Sequence, residues 1–234
     1  MHIEDCYLGT ELTALTESPN YYAAILSPFS PYLGSHVVEV GAGIGTCSEY
    51  LLRHPQIARL TLIEPASNLI SILREKLSGD ARVRLVNGQL KSVAESLSSD
   101  SVVLINVLEH VEDDEDLLRT IRHILKPKGA LLVFVPALPM LYGSLDKAFG
   151  HVRRYRKAEL RSQLEKHGFN IVNLRYFNLP GIVAWFVAGK VLNRKSLCAR
   201  DARVYDRWIM SWVGRLEQIC HPPIGQSLLA VATV

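Results

Sequence analysis

Long apolar runs are scarce in this 234-residue chain. The longest, Gly181 to Gly189 (GIVAWFVAG), is about half of what a membrane span needs, so no transmembrane segment is expected and the run reads as a buried or cap helix, with membrane-interface contact as the lesser reading. Cysteines are few and far apart. Cys6, Cys47, Cys198 and Cys220 form no C-x-x-C pair, and no histidine stands at zinc-ligand spacing, which argues against a metal site or a disulfide framework. Reduced thiols in a cytoplasmic protein fit that pattern. The opening MHIEDCYLGTE has no basic start followed by an apolar run, so neither a signal peptide nor a transit peptide is expected. The net charge is only +3, too small to imply a nucleic-acid or membrane partner by itself. Internal repeats and low-complexity segments are lacking too.

With 48% hydrophobic and 21% charged residues, the composition is that of an ordinary globular domain large enough for one core. Short strand-like runs alternate with short amphipathic helical patterns. The strands are expected at His36 to Val40, Arg59 to Ile63, Val83 to Val86, Ser101 to Ile105, Ala130 to Val135, Asn170 to Phe177 and Ser227 to Val234. Helices are expected at Cys47 to Arg53, Ser67 to Leu77, Asp114 to Leu125 and Lys157 to His167. This alternation predicts an α/β fold: a doubly wound, seven-stranded, mostly parallel sheet with helices on both faces. The chain divides into an N-terminal helical cap (1–34), a core (35–177), a helical insert (178–226) and the last strand (227–234), all one domain. An insert of that length is either structured or functional.

The stretch Glu39 to Thr46 (EVGAGIGT) follows a strand and opens a helix. Its glycines allow a sharp turn and a close approach of ligand to backbone. A dinucleotide loop wants G-x-G-x-x-G, whereas here Thr46 stands where the third glycine would be, so the spacing speaks for another nucleotide-like cofactor over pyrophosphate. Glu64 ends the next strand, where an acid can accept both hydroxyls of an unphosphorylated ribose.

These residues resemble the class I S-adenosylmethionine-dependent methyltransferases. The resemblance rests on VVEVGAGIG, LIEP, LVNGQL, VLINVLEHVED and ILKPKGALLVFVP, in that order, and covers about Tyr21 to Phe177. It implies a Rossmann-like methyltransferase fold with S-adenosylmethionine as cofactor. By position, Glu39 and the backbone of Gly41, Ala42, Gly43 and Gly45 would hold the methionine part, and Glu64 with Pro65 the ribose. Gln89 and Leu90 stand at the adenine contact, Gln89 replacing the family's usual aspartate with a carbonyl that also accepts a hydrogen bond. Asn106, Val107 and Leu108 would lie near the sulfonium, and Tyr21 would close the cofactor side.

Methyl transfer is an in-line displacement, so the chain must position the acceptor and exclude water. His110 in LEHV and His151 are the candidate general bases, the alternative for Glu109 and His110 being a loop-shaping role. The stretch YGSLDKAFGHVRRYRKAEL, from Tyr142 to Leu160, resembles a subgroup with a Tyr-Gly, Asp, Gly-His and Arg-Tyr pattern, associated with small-molecule, sugar or lipid-linked pathways. Asp146, Arg154 and Tyr155 are candidate substrate contacts there, Arg154 as a clamp for an anionic acceptor. Ion pairing that orders the loop is the bland alternative. Tyr22, and Trp185 with Phe186, Trp208 and Trp212 of the insert, are placed to close and roof the acceptor pocket, or to form core or a dimer interface.

The expected function is methyl transfer to a small-molecule metabolite, hydrophobic or anionic, with oxygen preferred because NVLEH replaces the D/N-P-P-Y type sequence of N-methylation. N- or C-methylation of a small molecule is an alternative, as is a non-catalytic S-adenosylmethionine-binding regulator; the glycine spacing disfavours a nicotinamide oxidoreductase. A monomer or homodimer is expected, with no metal and no nucleic-acid partner, since the basic run at Arg153 has few interleaved aromatics.

Overall fold

A computed structural model describes residues 10–234. Cys6 and most of the opening segment lie outside the described residues, and with them the expectation about a leader peptide. Seven strands form one sheet: β1 (His36–Val40), β2 (Arg59–Glu64), β3 (Val83–Asn87), β4 (Ser99–Ile105), β5 (Leu125–Pro136), β6 (Asn170–Phe177) and β7 (Ser227–Thr233), in the order β3-β2-β1-β4-β5-β7-β6. The first five run parallel, and β7 is antiparallel to both β5 and β6. The chain leaves β1 toward β2 on one side and returns to β4 on the other. The crevice beyond the carboxyl ends of β1 and β4 is therefore the switch point of the sheet, where such folds bind ligands.

Alternation along each strand builds two cores. Val38, Val40, Leu131 and Val133 face one layer with α5 (Asp114–Ile124) and α7 (Lys157–Lys166); Val37, Leu132 and Phe134 face the other with α2 (Pro19–Leu26), α3 (Thr46–Leu51) and α4 (Ser67–Leu77). Each fully buried leucine or isoleucine contributes roughly 1.5–3 kcal/mol. Helix α5 shows why the sequence stops and starts where it does. The Asp113 carboxylate caps it by accepting from Asp116 N at 2.9 Å, three further acids occupy the first turn, and Leu118, Ile121 and Ile124 form its buried stripe.

Most boundaries shift by one or two residues from expectation, and the largest shift is at β5. Strand β5 begins at Leu125, because Lys126 to Gly129 bulge out of the ladder: Ser99 pairs with Leu125, but Ser101 pairs with Ala130.

The expected cap and insert are helical. The cap contains α1 (Thr10–Leu15) and α2; the insert contains α8 (Leu179–Phe186), which continues through a π turn over Val187–Val191, and a second long helix. That helix runs from α9 (Ala199–Tyr205) through a π turn (Asp206–Met210) into α10 (Ser211–Ile219), about 30 Å in all. Its inner face carries Asp206, Met210, Gly214 and Glu217. Asp206 accepts from Tyr21 N at 2.8 Å and Asn20 N at 3.2 Å, and so fixes the start of α2. Gly214 has to be small: a Cβ there would lie 2.9 Å from the Ala24 Cβ. Among the described residues, no helix is long and apolar enough to cross a membrane.

Candidate active site

A cavity of about 810 Å³ opens at the switch point of the sheet. Its size suits a nucleotide-sized ligand with room for a second molecule. One end is built by the glycine loop. Gly41 N and Ala42 N donate to Ile63 O at 2.8 and 3.2 Å, which ties the loop to β2. Gly41 adopts φ +71°, and a Cβ there would meet Val107 Cγ2 at 2.6 Å, so both conformation and space demand glycine. Glu64 accepts from Gly43 N at 2.8 Å through Oε2 and from Ala66 N at 2.9 Å through Oε1. Each oxygen keeps a second lone pair, leaving the carboxylate able to take two more donors. Burial nevertheless raises its pKa, offset in part by those two bonds.

Glu39 points to the α3 side of the sheet and accepts from Ser48 Oγ at 2.6 Å. Burial pushes its carboxyl up to about 7. The Thr46 hydroxyl, in the place of a dinucleotide loop's third glycine, lines the cavity and is buried with no hydrogen-bond partner. An orphaned hydroxyl beside a glycine cradle awaits a polar ligand. Asn106 leaves β4 at φ +53°, a left-handed conformation asparagine tolerates, and bonds through its side chain to Tyr21.

Tyr21, Glu39, Gly41, Ala42, Gly43, Glu64, Pro65, Gln89, Leu90, Asn106 and Val107 all line this cavity. Gly45 and Leu108 do not. Gly45 starts α3 at φ +78° against Leu73, and Leu108 is fully buried in the core.

The other end of the cavity holds the histidines. His110 and His151 meet edge to face with ring centres 4.8 Å apart, and both line the wall. Behind them Asp146, at the centre of α6 (Ser144–Ala148), is fully buried. Its Oδ1 accepts from His151 Nδ1 at 2.9 Å and from Arg154 Nε at 2.7 Å; its Oδ2 accepts from Trp185 Nε1 at 3.1 Å and Gly143 N at 2.9 Å. Burial alone would raise its pKa, but the bond from His151 and the Arg154 charge more than offset this and hold it below the usual carboxylate range. An ionised Asp146 fixes the proton on His151 Nδ1 and leaves Nε2 as an acceptor. His110 is different: burial, with His151 beside it, pushes its pKa down to about 4.

Several expected contacts turn out to be support. Asp146 is behind the wall and does not line this cavity. Arg154 lines the cavity, yet Nε and Nη1 are committed to Asp146 and to Ala137 O at 2.8 Å, and the guanidinium stacks 4.9 Å over Trp185. Its Nη2 is buried with no hydrogen-bond partner, so the guanidinium organises the wall and still keeps one donor uncommitted. Tyr155 is a correction: its hydroxyl donates to Asp114 Oδ2 at 2.8 Å and Leu108 O at 3.1 Å inside the core, away from the cavity. Trp185 and Tyr22 do line the cavity, Tyr22 stacking on Tyr50 at 5.5 Å. Trp208 and Trp212 form no roof, being 68% and 71% exposed on the outer face of the long helix. Phe149, Leu197 and Gln226 also line the cavity and were missed. Phe149 sits between the two singled-out residues Asp146 and His151. Gln226 had a topological signal: an antiparallel last strand starts at the end where parallel strands finish.

Among the described residues one cluster has metal-ligand chemistry. Glu109, His110 and His151 offer ligand atoms all within 4.8 Å of one another. Burial pushes Glu109 up to about 8, and the Arg154 charge is its main favourable neighbour. Both Glu109 carboxyl oxygens are buried with no hydrogen-bond partner, so this cluster carries unsatisfied polar atoms beside the two histidines.

The model of a family described as methyltransferase domain matches residues 15–174. The chain belongs to that methyltransferase family. The ubiquinone biosynthesis O-methyltransferase of Xylella fastidiosa is 33% identical over 108 residues, covering 44% of this chain and 42% of that protein. The mitochondrial ubiquinone biosynthesis O-methyltransferase of Schizosaccharomyces pombe is 26% identical over 106 residues, 44% and 38% of the two chains. The match thus spans less than half the length of these curated relatives. Among solved structures, a SAM-dependent methyltransferase from Archaeoglobus fulgidus aligns with a TM-score of 0.62 and 17% identity over 96% of this chain and 99% of the other. The N-methyltransferase NodS of Bradyrhizobium japonicum aligns at 0.57 and 15%, over 93% and 84%. At these identities the likeness shows the class I methyltransferase fold, seven-stranded sheet included.

Proposed function

We propose that this methyltransferase-family chain is a single-domain enzyme that uses S-adenosylmethionine to methylate a small-molecule acceptor at oxygen. One observation carries the reading: a single cavity has the glycine cradle, Glu64 and the orphaned Thr46 hydroxyl at one end and, at the other, His151 backed by the buried Asp146. S-adenosylmethionine bound there supplies an electrophilic methyl group. Glu39, the loop backbone and Glu64 would hold it, Gln89 and Leu90 would flank its base, and Asn106 and Val107 would lie beside the reacting end. His151 Nε2 accepts the acceptor hydroxyl's proton, while Asp146 orients the ring and stabilises the imidazolium that forms. His110, with its depressed pKa, is a neutral wall of the site and not the base. Phe149, Trp185 and Leu197 exclude water from the acceptor.

The relatives' names, O-methyltransferases of ubiquinone biosynthesis, support oxygen over nitrogen. The aromatic lining supports a hydrophobic acceptor. We place the enzyme in the cytoplasm, as the spread of its cysteines suggests, and as a monomer or homodimer. Calorimetric titration with S-adenosylmethionine, followed by assay of S-adenosylhomocysteine across a panel of hydroxylated and aminated metabolites, tests the proposal. Cofactor binding with turnover of hydroxylated acceptors is expected. Absence of cofactor binding overturns the reading, and turnover confined to amines overturns the acceptor atom.

A further inference from the structure

Twelve of the sixteen large apolar side chains exposed among the described residues lie between Leu179 and Ile224, in the insert. They are ordered. On the long helix, Val204, Trp208, Trp212, Leu216 and Ile219 recur every three or four residues and are 54% to 87% exposed, opposite the inner stripe of Asp206, Met210, Gly214 and Glu217. Along α8 and its π turn, Leu179, Val183, Val187 and Val191 form a second exposed stripe at the same spacing. A concentration of this kind on one part of a folded chain marks an interaction surface.

Charge says what covers it. Between Asn178 and Gln226 stand seven cations, Lys190, Arg194, Lys195, Arg200, Arg203, Arg207 and Arg215, against three acids. Asp206 and Glu217 are buried, so Asp201 is the one exposed carboxylate of the insert, and it is paired with Arg194 at 2.6 Å. The cations flank the apolar stripe, with the Arg207 guanidinium 5.6 Å from the Trp208 ring. A second copy packed face to face would set this cationic surface against itself. Indoles, aliphatic side chains and flanking arginines on one helix match instead the boundary of a bilayer with anionic headgroups.

We propose that the helix from Ala199 to Ile219, with the α8 stripe beside it, docks the protein on an anionic lipid surface, with Trp208 and Trp212 inserted at the headgroup level. The same helix holds Asp206 under the start of α2, which carries Tyr21 and Tyr22 of the cavity, and α8 carries Trp185. Through Trp185 the docked surface adjoins the acceptor end, which gives a lipid-dissolved or lipid-linked acceptor a path that does not cross water.

The test is co-sedimentation of the full chain with phosphatidylcholine vesicles, with and without phosphatidylglycerol, alongside tryptophan emission and sedimentation velocity. Pelleting with anionic vesicles, a blue shift on binding and weakening by salt are expected. The Trp208→Ser, Trp212→Ser double variant should lose both signals. Arg207→Gln with Arg215→Gln should weaken partitioning roughly 10- to 30-fold, since each basic residue near such a surface contributes separately. Thermal melts and cofactor titration of these surface variants check that they fold, and vesicle binding does not depend on the enzymatic reading. Failure of the wild type to pellet overturns the proposal. So does a wild-type dimer that the tryptophan variants dissociate, or equal binding to neutral vesicles that salt leaves unchanged.

Discussion

His151 Nδ1 lies 2.9 Å from Asp146 Oδ1, and that carboxylate also receives Arg154 Nε and Trp185 Nε1. Three segments of the chain thereby converge on one buried charge, and His151, Arg154 and Trp185 all line the cavity in front of it. Replacing His151 by alanine is expected to lower kcat about 10²- to 10⁴-fold with cofactor affinity little changed. His110→Ala should cost far less. Asp146→Asn, which removes the charge that orients the ring, should lower kcat and shift the pH profile together. Steady-state kinetics with S-adenosylhomocysteine as readout decide this; full turnover in His151→Ala would refute the base assignment.

Glu64 is tied to Gly43 N and Ala66 N, so its loss removes two loop bonds as well as the proposed ribose contact. Glu64→Ala should weaken S-adenosylmethionine binding by about 2–4 kcal/mol, roughly 30- to 1,000-fold, measured by calorimetry. Glu64→Gln should fall between, because its amide nitrogen cannot accept.

Burial raises the Glu39 carboxyl from 4.5 to about 7, and this gives a pH dependence with a definite sign. A raised folded-state pKa means that the contribution to stability is fully present below about pH 4.5 and lost as pH rises through about 7. The ligand-free protein should lose up to about 3 kcal/mol over that window from this group. A cationic cofactor favours the carboxylate, so its affinity should rise with pH over the same window, by at most about tenfold per unit. Melting curves of wild type and Glu39→Gln from pH 5 to pH 8 should diverge without cofactor, the variant staying flatter.

If Glu109, His110 and His151 handle protons and hold no metal, chelation should leave activity unchanged. Assay after dialysis against EDTA tests this. Activity lost on chelation and restored by a divalent ion would reassign the cluster.

Much of the architecture was legible because local and global signals agree. β1 at His36–Val40, α4 at Ser67–Leu77 and β6 at Asn170–Phe177 have the bounds that strand-like or amphipathic patterning predicts. The glycine-loop end of the cavity was legible for the same reason: its lining comes largely from the loops that immediately follow β1, β2, β3 and β4. The acceptor end was legible as a cluster but not as an arrangement. Nothing local says that Trp185, thirty-nine residues away, donates to Asp146, or that Tyr155 turns inward to Asp114 while His151 turns to the cavity. Trp208 and Trp212 were misplaced because aromatics at helical spacing define a stripe without saying which side of the helix the protein occupies. That choice is made by Asp206 and Gly214, whose partners lie near residue 20.

Asp206 also makes the last prediction. Its carboxylate accepts from Tyr21 N, Asn20 N and Asn20 Nδ2 at 2.8, 3.2 and 2.9 Å, taking backbone donors that the first turn of α2 leaves open. Loss of such a cap costs about 0.5–2 kcal/mol. Asp206→Ala should therefore lower Tm by several degrees and, because α2 carries Tyr21 against Asn106, weaken cofactor binding several-fold as well. Asp206→Asn, which keeps one accepting oxygen, should recover part of both. A purely structural cap would lower Tm alone. Loss of cofactor affinity in a variant so far from the glycine loop, with recovery in the asparagine form, is the signature that the insert sets the geometry of the cofactor pocket through α2.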